Sequence, residues 1–206
     1  MAGLREKQKA DRKERILKAA VERFRADGYR SVRIEDLAEA AEVSVGTVYN
    51  YYLTKGDILI ATVAMEVEEV LDAGKAIVAD PPPGAEAALM KLITGYYDHS
   101  LEYLSKEMWR TAMALSIQEP DTPNGRHYTD LDRRLAAQVT DLIEVLQKRG
   151  DLPPGLDAFA LGQVVFNTLN MLFIEFVKDA PMTLADLRDQ AARQIRTLTR
   201  GIAGAA

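Results

Sequence analysis

Between Ser44 and Lys55 the chain gathers hydrogen-bonding groups of several kinds within one dozen residues. Ser44 and Thr47 carry hydroxyls, Tyr49 and Tyr51 phenols, Asn50 a carboxamide and Lys55 an ammonium. Hydroxyl, phenol and ammonium groups can hold phosphate oxygens, and a carboxamide can pair with the edge of an adenine. Val45 adds a contact suited to a thymine methyl, and Gly46 lets a backbone come close to a partner. As a helix, Ser44–Tyr51 has poor propensity, which points to a requirement other than helix stability.

Two short helices must position these groups. Ile34, Leu37, Ala38 and Ala41 share one face of a helix over 34–41, and Ser44 is a good N-cap for a second over 44–51. Glu42-Val43 joins them, and the small alanines at 38, 40 and 41 permit close crossing. This is the helix-turn-helix pattern, whose second helix fits a major groove about 12 Å wide. Ahead of it, Ile16, Leu17, Ala20, Val21 and Phe24 predict a helix from Asp11, with Gly28 as its left-handed cap. Val48 and Tyr52 are expected to face the core.

The rest of the chain also reads as helix. All eight prolines fall in four places, and no stretch alternates with the period of a strand. A long helix is expected over Lys55–Ala79, stopped by Pro81–Pro83, with others over 85–105, 106–118, 127–149, 157–178 and 183–202. Asp80–Gly84 reads as a short stiff connector. The fold class is all-α.

The run Val43-Ser-Val-Gly-Thr-Val-Tyr-Asn-Tyr-Tyr52 with Lys55, preceded by Gly28-Tyr29, Asp36-Leu37-Ala38 and Ala41, resembles the head of the tetracycline-repressor (TetR) family. The resemblance covers residues 11–60. It implies about nine helices: a three-helix DNA-binding head over 1–56 and a ligand-binding, dimerising domain over 57–206. It further implies a homodimer on a pseudo-palindromic operator in double-stranded DNA, released by a small-molecule effector. The DNA-binding residues are then Arg33, Ser44, Val45, Gly46, Thr47, Tyr49, Asn50, Tyr51 and Lys55. Three positions depart from the family pattern: Arg33 replaces a capping threonine, Glu42 the turn glycine, and Val45 a frequent lysine. Glu42 brings a carboxylate towards DNA, and Val45 removes a cation.

Charge is divided in the same sense. The chain has a net charge of −5, yet residues 1–56 carry 12 Lys or Arg against 9 Asp or Glu. A basic head on an acidic body brings one end towards phosphate. The basic arm of Arg5, Lys7, Lys9, Arg12 and Lys13 either reaches a minor groove or is a solvated tail. The absence of cysteine excludes disulfides and thiolate zinc sites. With no signal-like start and no apolar run near the ~20 residues of a membrane span, a cytoplasmic protein without membrane partners is expected.

In the remainder, aromatic and polar residues mix over Tyr96, His99, Ser100, Tyr103, Trp109 and Met113, and again over Phe166, Asn167, Asn170 and Phe173. An apolar wall with a few orienting polar groups is what a pocket needs, so these are the candidate effector residues, and they suggest a small apolar or aromatic effector with a polar group. Phe176, Leu184, Leu187, Ala191, Ile195 and Leu198 form apolar stripes on the last two helices and are the candidate dimer interface. His99 with Glu102, and His127 with Asp130, have a spacing open to metal ligands. Two histidines and no cysteine make a transition-metal site unexpected, and no cofactor is implied. An enzyme lacks an activated nucleophile or phosphate loop here. The alternative function is a ligand-sequestering module that has lost operator recognition, to which Glu42 and Val45 point.

Overall fold

Seven of the eight prolines fall between helices, and the eighth, Pro123, opens one. The computed structural model describes residues 2–204, with the backbone alone for 2–5, 203 and 204. Its helices are α1 (Ala2–Asp27), α2 (Ile34–Ala40), α3 (Val45–Tyr49), α4 (Lys55–Ala79), α5 (Ala85–His99), α6 (Lys106–Gln118), α7 (Pro123–Arg149), α8 (Ala158–Lys178) and α9 (Leu184–Gly204). No strand occurs among the described residues.

Three boundaries differ from the sequence expectation. Helix α1 begins nine residues before Asp11, because the polar residues ahead of Asp11 are themselves strong helix formers. Helix α5 ends at His99 rather than near 105. There the Ser100 hydroxyl donates to the Tyr97 carbonyl at 2.7 Å, and Ser105 caps α6 by accepting from the Met108 N–H at 3.3 Å. Helix α7 begins at Pro123, since proline suits a first helical position that has no N–H to satisfy.

The chain forms two compact units: one of residues through Met65 with Tyr103–Tyr128, the other of Glu66–Glu102 with Thr129 onward. The first unit is built on Ile16, Ala20 and Phe24 of α1, Leu37 of α2, Val48 of α3 and Ile58 and Leu59 of α4, each no more than 1 % exposed. Gly28 ends α1 at φ 82°, a left-handed cap that lets its N–H reach the Phe24 carbonyl at 3.1 Å.

In the second unit α9 packs on α5 and α8. Gly162 of α8 lies so close to α7 that a Cβ there would sit 2.2 Å from the Thr140 hydroxyl, so only glycine allows this crossing. The connector before α5 is held by Arg149, whose guanidinium donates to the carbonyls of Pro81 (2.6 Å) and Pro82 (2.7 Å). By length and composition α8 is apolar enough to cross a membrane, which the residue-by-residue reading did not show. Gly162, Val165, Phe166, Leu169, Leu172, Phe173, Phe176 and Val177 are nonetheless buried within the unit, as in a core helix.

Candidate nucleic-acid interface

The geometry of the α2–α3 pair follows from its caps and its turn. The N–H of Arg33 donates to the Asp36 carboxylate at 2.7 Å, so α2 is closed by its own third residue and the Arg33 guanidinium stays outside. That side chain is 74 % exposed and lies 3.3 Å from Glu35. At the start of α3 the Ser44 hydroxyl accepts from the Thr47 N–H at 3.1 Å and shares a 2.8 Å hydrogen bond with the Thr47 hydroxyl. Between the helices Glu42 stands at φ 52°, the sole left-handed non-glycine among the described residues. The turn therefore needs the conformation glycine adopts freely, and glutamate holds it at a cost of about 1–2 kcal/mol.

One surface carries most of the candidate DNA-binding residues. Ser44, Gly46, Tyr49 and Asn50 are exposed, while Val45, Thr47 and Tyr51 are half-buried. Tyr49 is 47 % exposed although aromatic. A Cβ on Gly46 would meet nothing closer than the Ser44 hydroxyl at 3.9 Å, so the fold does not demand glycine there. Val48 and Tyr52 are buried as expected, and burial pushes the Tyr52 phenol up to about 12.

Lys55 is the exception. Its Nζ donates to the carbonyls of Tyr29 (2.8 Å), Arg30 (3.2 Å) and Val32 (2.9 Å) and lies 4.6 Å from the centre of the Tyr29 ring. All three donors of the ammonium are used, so it fastens α4 to the α1–α2 loop. Burial pulls its pKa below the ordinary lysine value, with the Glu107 charge opposing. Tyr29 in turn rests edge-on against Phe24 at 5.0 Å, and burial with the Asp57 charge raises its phenol to about 12. Asp57 itself accepts from the Thr54 N–H at 2.7 Å and from Asn124 at 2.5 Å. Tyr29 and Asp57 escaped the sequence reading as working residues. Thr54 followed three residues later by Asp57 is the capping signal that could have revealed the second.

The candidate effector residues divide between the units. Tyr103, Trp109 and Met113 belong to the first, with Trp109 buried. In the second, the Tyr96 phenol donates to Gln138 at 2.6 Å, and Gln138 donates onward to the Leu71 carbonyl at 2.8 Å. Burial, with the Asp141 charge, holds that phenol well above its usual range. His99 Nδ1 lies 2.6 Å from Glu66 and its Nε2 3.2 Å from Glu69. Burial pulls the imidazole down, yet the Glu66 hydrogen bond and the charges of Glu66, Glu69 and Glu102 outweigh it and raise its pKa. Ser100 is buried, and Phe173 stacks on Tyr97 at 6.1 Å.

Phe166, Asn167 and Asn170 line a different feature, an open groove of about 570 Å³ between α7 and α8 with Asp132, Arg133 and Gln163. Burial raises the Asp132 carboxyl to about 6. Gln138 and Glu66 were not singled out from sequence. Each is a polar residue on an otherwise apolar helical stripe, which is the signal that marks it.

Of the candidate interface residues, Phe176, Leu187, Ala191 and Ile195 are at most 2 % exposed, and Leu184 and Leu198 are half-buried. Phe176 is on the buried side of α8, and the other five lie on the face of α9 turned to α5 and α8 of the same unit. The outward apolar residues are on α8 instead: Phe159, Val164 and Met171 are 66 %, 52 % and 55 % exposed. No group of His, Asp and Glu suited to a metal ion occurs among the described residues.

A short helix pair with an exposed, polar second helix, joined to a larger helical unit, is the arrangement of helix-turn-helix regulators. Residues 16–62 match the family model of bacterial regulatory proteins, tetR family. It is similar to the HTH-type transcriptional repressor KstR of Rhodococcus jostii, 30% identical over 137 residues that span 64% of this chain and 61% of that protein. Among solved structures, a TetR-family transcriptional regulator from Mesorhizobium loti matches over 92% of this chain and 95% of its own, with TM-score 0.73 and 20% identity. FadR of Thermus thermophilus, a TetR-family repressor in complex with lauroyl-CoA, matches over 89% and 92%, with TM-score 0.67 and 20% identity. These two likenesses concern the fold.

Proposed function

We propose that this chain is a transcriptional repressor that binds an inverted-repeat operator as a homodimer and leaves it when an acyl thioester binds its second unit. The observation that carries the DNA reading is the surface of α3. Gly46, Tyr49 and Asn50 stand exposed where no packing requires them, and Gly46 weakens the helix without easing any contact of the chain. Asn50 and Val45 would touch base edges, and Ser44, Thr47, Tyr49, Tyr51 and Arg33 would hold phosphates and sugars. One head per half-site places two such helices in successive major grooves about 34 Å apart.

The dimer reading rests on α8. Val164 and Met171 share the outward face of α8 with Asn167, and Phe159 stands exposed at the start of that helix beyond Asn170, a surface that a two-fold partner would cover. The effector class comes from the likeness to the lauroyl-CoA-bound FadR. Tyr96, His99, Ser100 and Phe173 are the candidates to line its site in the second unit. An effector acts only through unequal affinity for the two states of the protein. With DNA as its target, the repressor works in the cytoplasm and is no enzyme.

Selection of bound duplexes from a random pool at physiological salt tests the reading. An enriched inverted repeat, released by lauroyl-CoA but not by laurate or free CoA, is the expected result. Trp109, the single tryptophan, gives a fluorescence readout of the same titration. Ligand binding without any enriched sequence would replace the repressor with a ligand-sequestering module.

A further inference from the structure

The recognition helix carries no cation. From Val43 to Thr54 there is neither Lys nor Arg, and the Lys55 ammonium is spent on three carbonyls. A protein that grips duplex DNA must still neutralise phosphates, because that term supplies most of the affinity. The charge therefore has to come from elsewhere in the first unit. Arg33 is near Glu35, and Arg30 is within 3.9 Å of Glu107.

Helix α1 supplies what is missing. Residues 6–15 are all exposed and helical. Steps of three and four residues place Lys9, Arg12 and Lys13 on the stripe that continues as Ile16, Ala19 and Ala20. Those last three are at most 4 % exposed, so one face of α1 is apolar where the head covers it and turns cationic where that cover ends. Asp11 and Glu14 lie on the opposite face. None of Lys9, Arg12 and Lys13 has an ion pair with a described residue, while Arg5 lies outside the described side chains. A helical stretch of this length is marginal alone in water and gains from a polyanion laid along it. It spans roughly 14 Å, long enough to pass several phosphates of one strand.

The geometry points to the first turns of α1, through Lys9, Arg12 and Lys13, as the site that binds the DNA phosphate backbone beside the operator contacts of α3. This rests on the repressor reading above. It makes the basic segment a rigid helical clamp, so its contribution is independent of base sequence and steep in salt.

The test is operator affinity measured from 50 to 300 mM salt for the wild-type chain and for Lys9→Gln/Arg12→Gln/Lys13→Gln. Glutamine keeps helix propensity, and circular dichroism checks that the variant is folded. Three cations are lost from each of two heads, so the slope of log affinity against log salt should fall by roughly 5, and binding at physiological salt should weaken at least roughly a thousandfold, with base preference unchanged. Lys18→Gln, a cation on the opposite face, should leave the slope as it is. An unaltered slope in the triple variant, with selective binding intact, overturns the clamp and leaves the repressor standing. A wild-type chain that selects no sequence overturns both.

Discussion

On the α2–α3 surface of the first unit, Tyr49 and Asn50 have exposed side chains that no described hydrogen bond engages, and Gly46 sits where alanine would fit. In the second unit, side chains of the same chemical kinds are committed within the fold. Tyr96 is bound to Gln138, Gln138 to the Leu71 carbonyl, Tyr97 to the Leu169 carbonyl, Ser100 to the Tyr97 carbonyl and His99 to Glu66. A polar residue at helical spacing thus has two different meanings. Where its atoms are consumed inside the chain it specifies packing, and where they are left at an exposed helix it is available to a partner. The comparison can be broken by removing a residue of each kind and asking whether stability or binding responds.

Gln138 should give the largest effect. It accepts from one buried phenol and donates to one buried carbonyl, so Gln138→Ala strands both and opens a void beside α4. Losses of about 1–3 kcal/mol per stranded buried group, partly relieved by water, predict a fall of about 2–4 kcal/mol in unfolding free energy. Denaturant titration measures it. At temperatures where the variant is folded, operator affinity should be within a factor of two of the wild type. A large loss of affinity with little loss of stability would move Gln138 into the effector or signalling machinery.

Lys55 sharpens the comparison from the other side, because it lies in the recognisable motif yet its donors are spent internally. Lys55→Met keeps the apolar stem over Tyr29 and removes three hydrogen bonds. Charged hydrogen bonds of this kind predict a loss of about 2–3 kcal/mol, after allowance for solvent at a half-buried group. The salt slope of operator binding should not change. A slope smaller by about 2, one contact per head, with stability retained would assign this ammonium to a phosphate instead.

Gly46→Ala should separate the two quantities most cleanly. The substitution meets no atom closer than 3.9 Å and replaces the weakest helix former except proline. Stability should rise by about 0.5–1 kcal/mol. Operator affinity should fall at least tenfold, about 1.4 kcal/mol, if the backbone of α3 approaches DNA at this point. Gains in both, or no change in affinity, would mean that the close approach does not occur.

These contrasts also explain what could be read from the sequence. The helix-turn-helix was legible because capping, turn and apolar spacing all act over three or four residues. Ser44, Val48 and Tyr52 needed no tertiary knowledge. The commitments of Lys55, Tyr96 and His99 bridge 23 to 42 residues, and no local pattern encodes them. The stripe of Leu187, Ala191 and Ile195 was legible as an apolar face. Whether such a face meets its own chain or a partner depends on which helix lies opposite, and α5 is nearly a hundred residues away in sequence. The extension of α1 ahead of Asp11 was missed because its turns bury nothing, so apolar periodicity has no signal there.

The smallest effect expected is the pH dependence of His99. Its folded-state pKa is raised above the ordinary histidine value near 6.5, because Glu66, Glu69 and Glu102 favour the imidazolium more than burial opposes it. The sign follows from proton counting. The folded chain holds this proton more tightly than the unfolded one, so the ion pairs stabilise fully below about pH 6.5 and fade as pH rises through the folded value. Asp132, raised to about 6 by burial, lowers stability with rising pH in a separate window from about 4 to 6, so measurements from pH 6.5 upward isolate the histidine. Thermal midpoints of the wild-type chain should decline from pH 6.5 upward, and those of His99→Gln should start lower and stay level over the same range. Parallel curves would mean that the imidazole is neutral in the folded chain. His99 would then be a hydrogen-bonded packing residue like Tyr96, bound to Glu66.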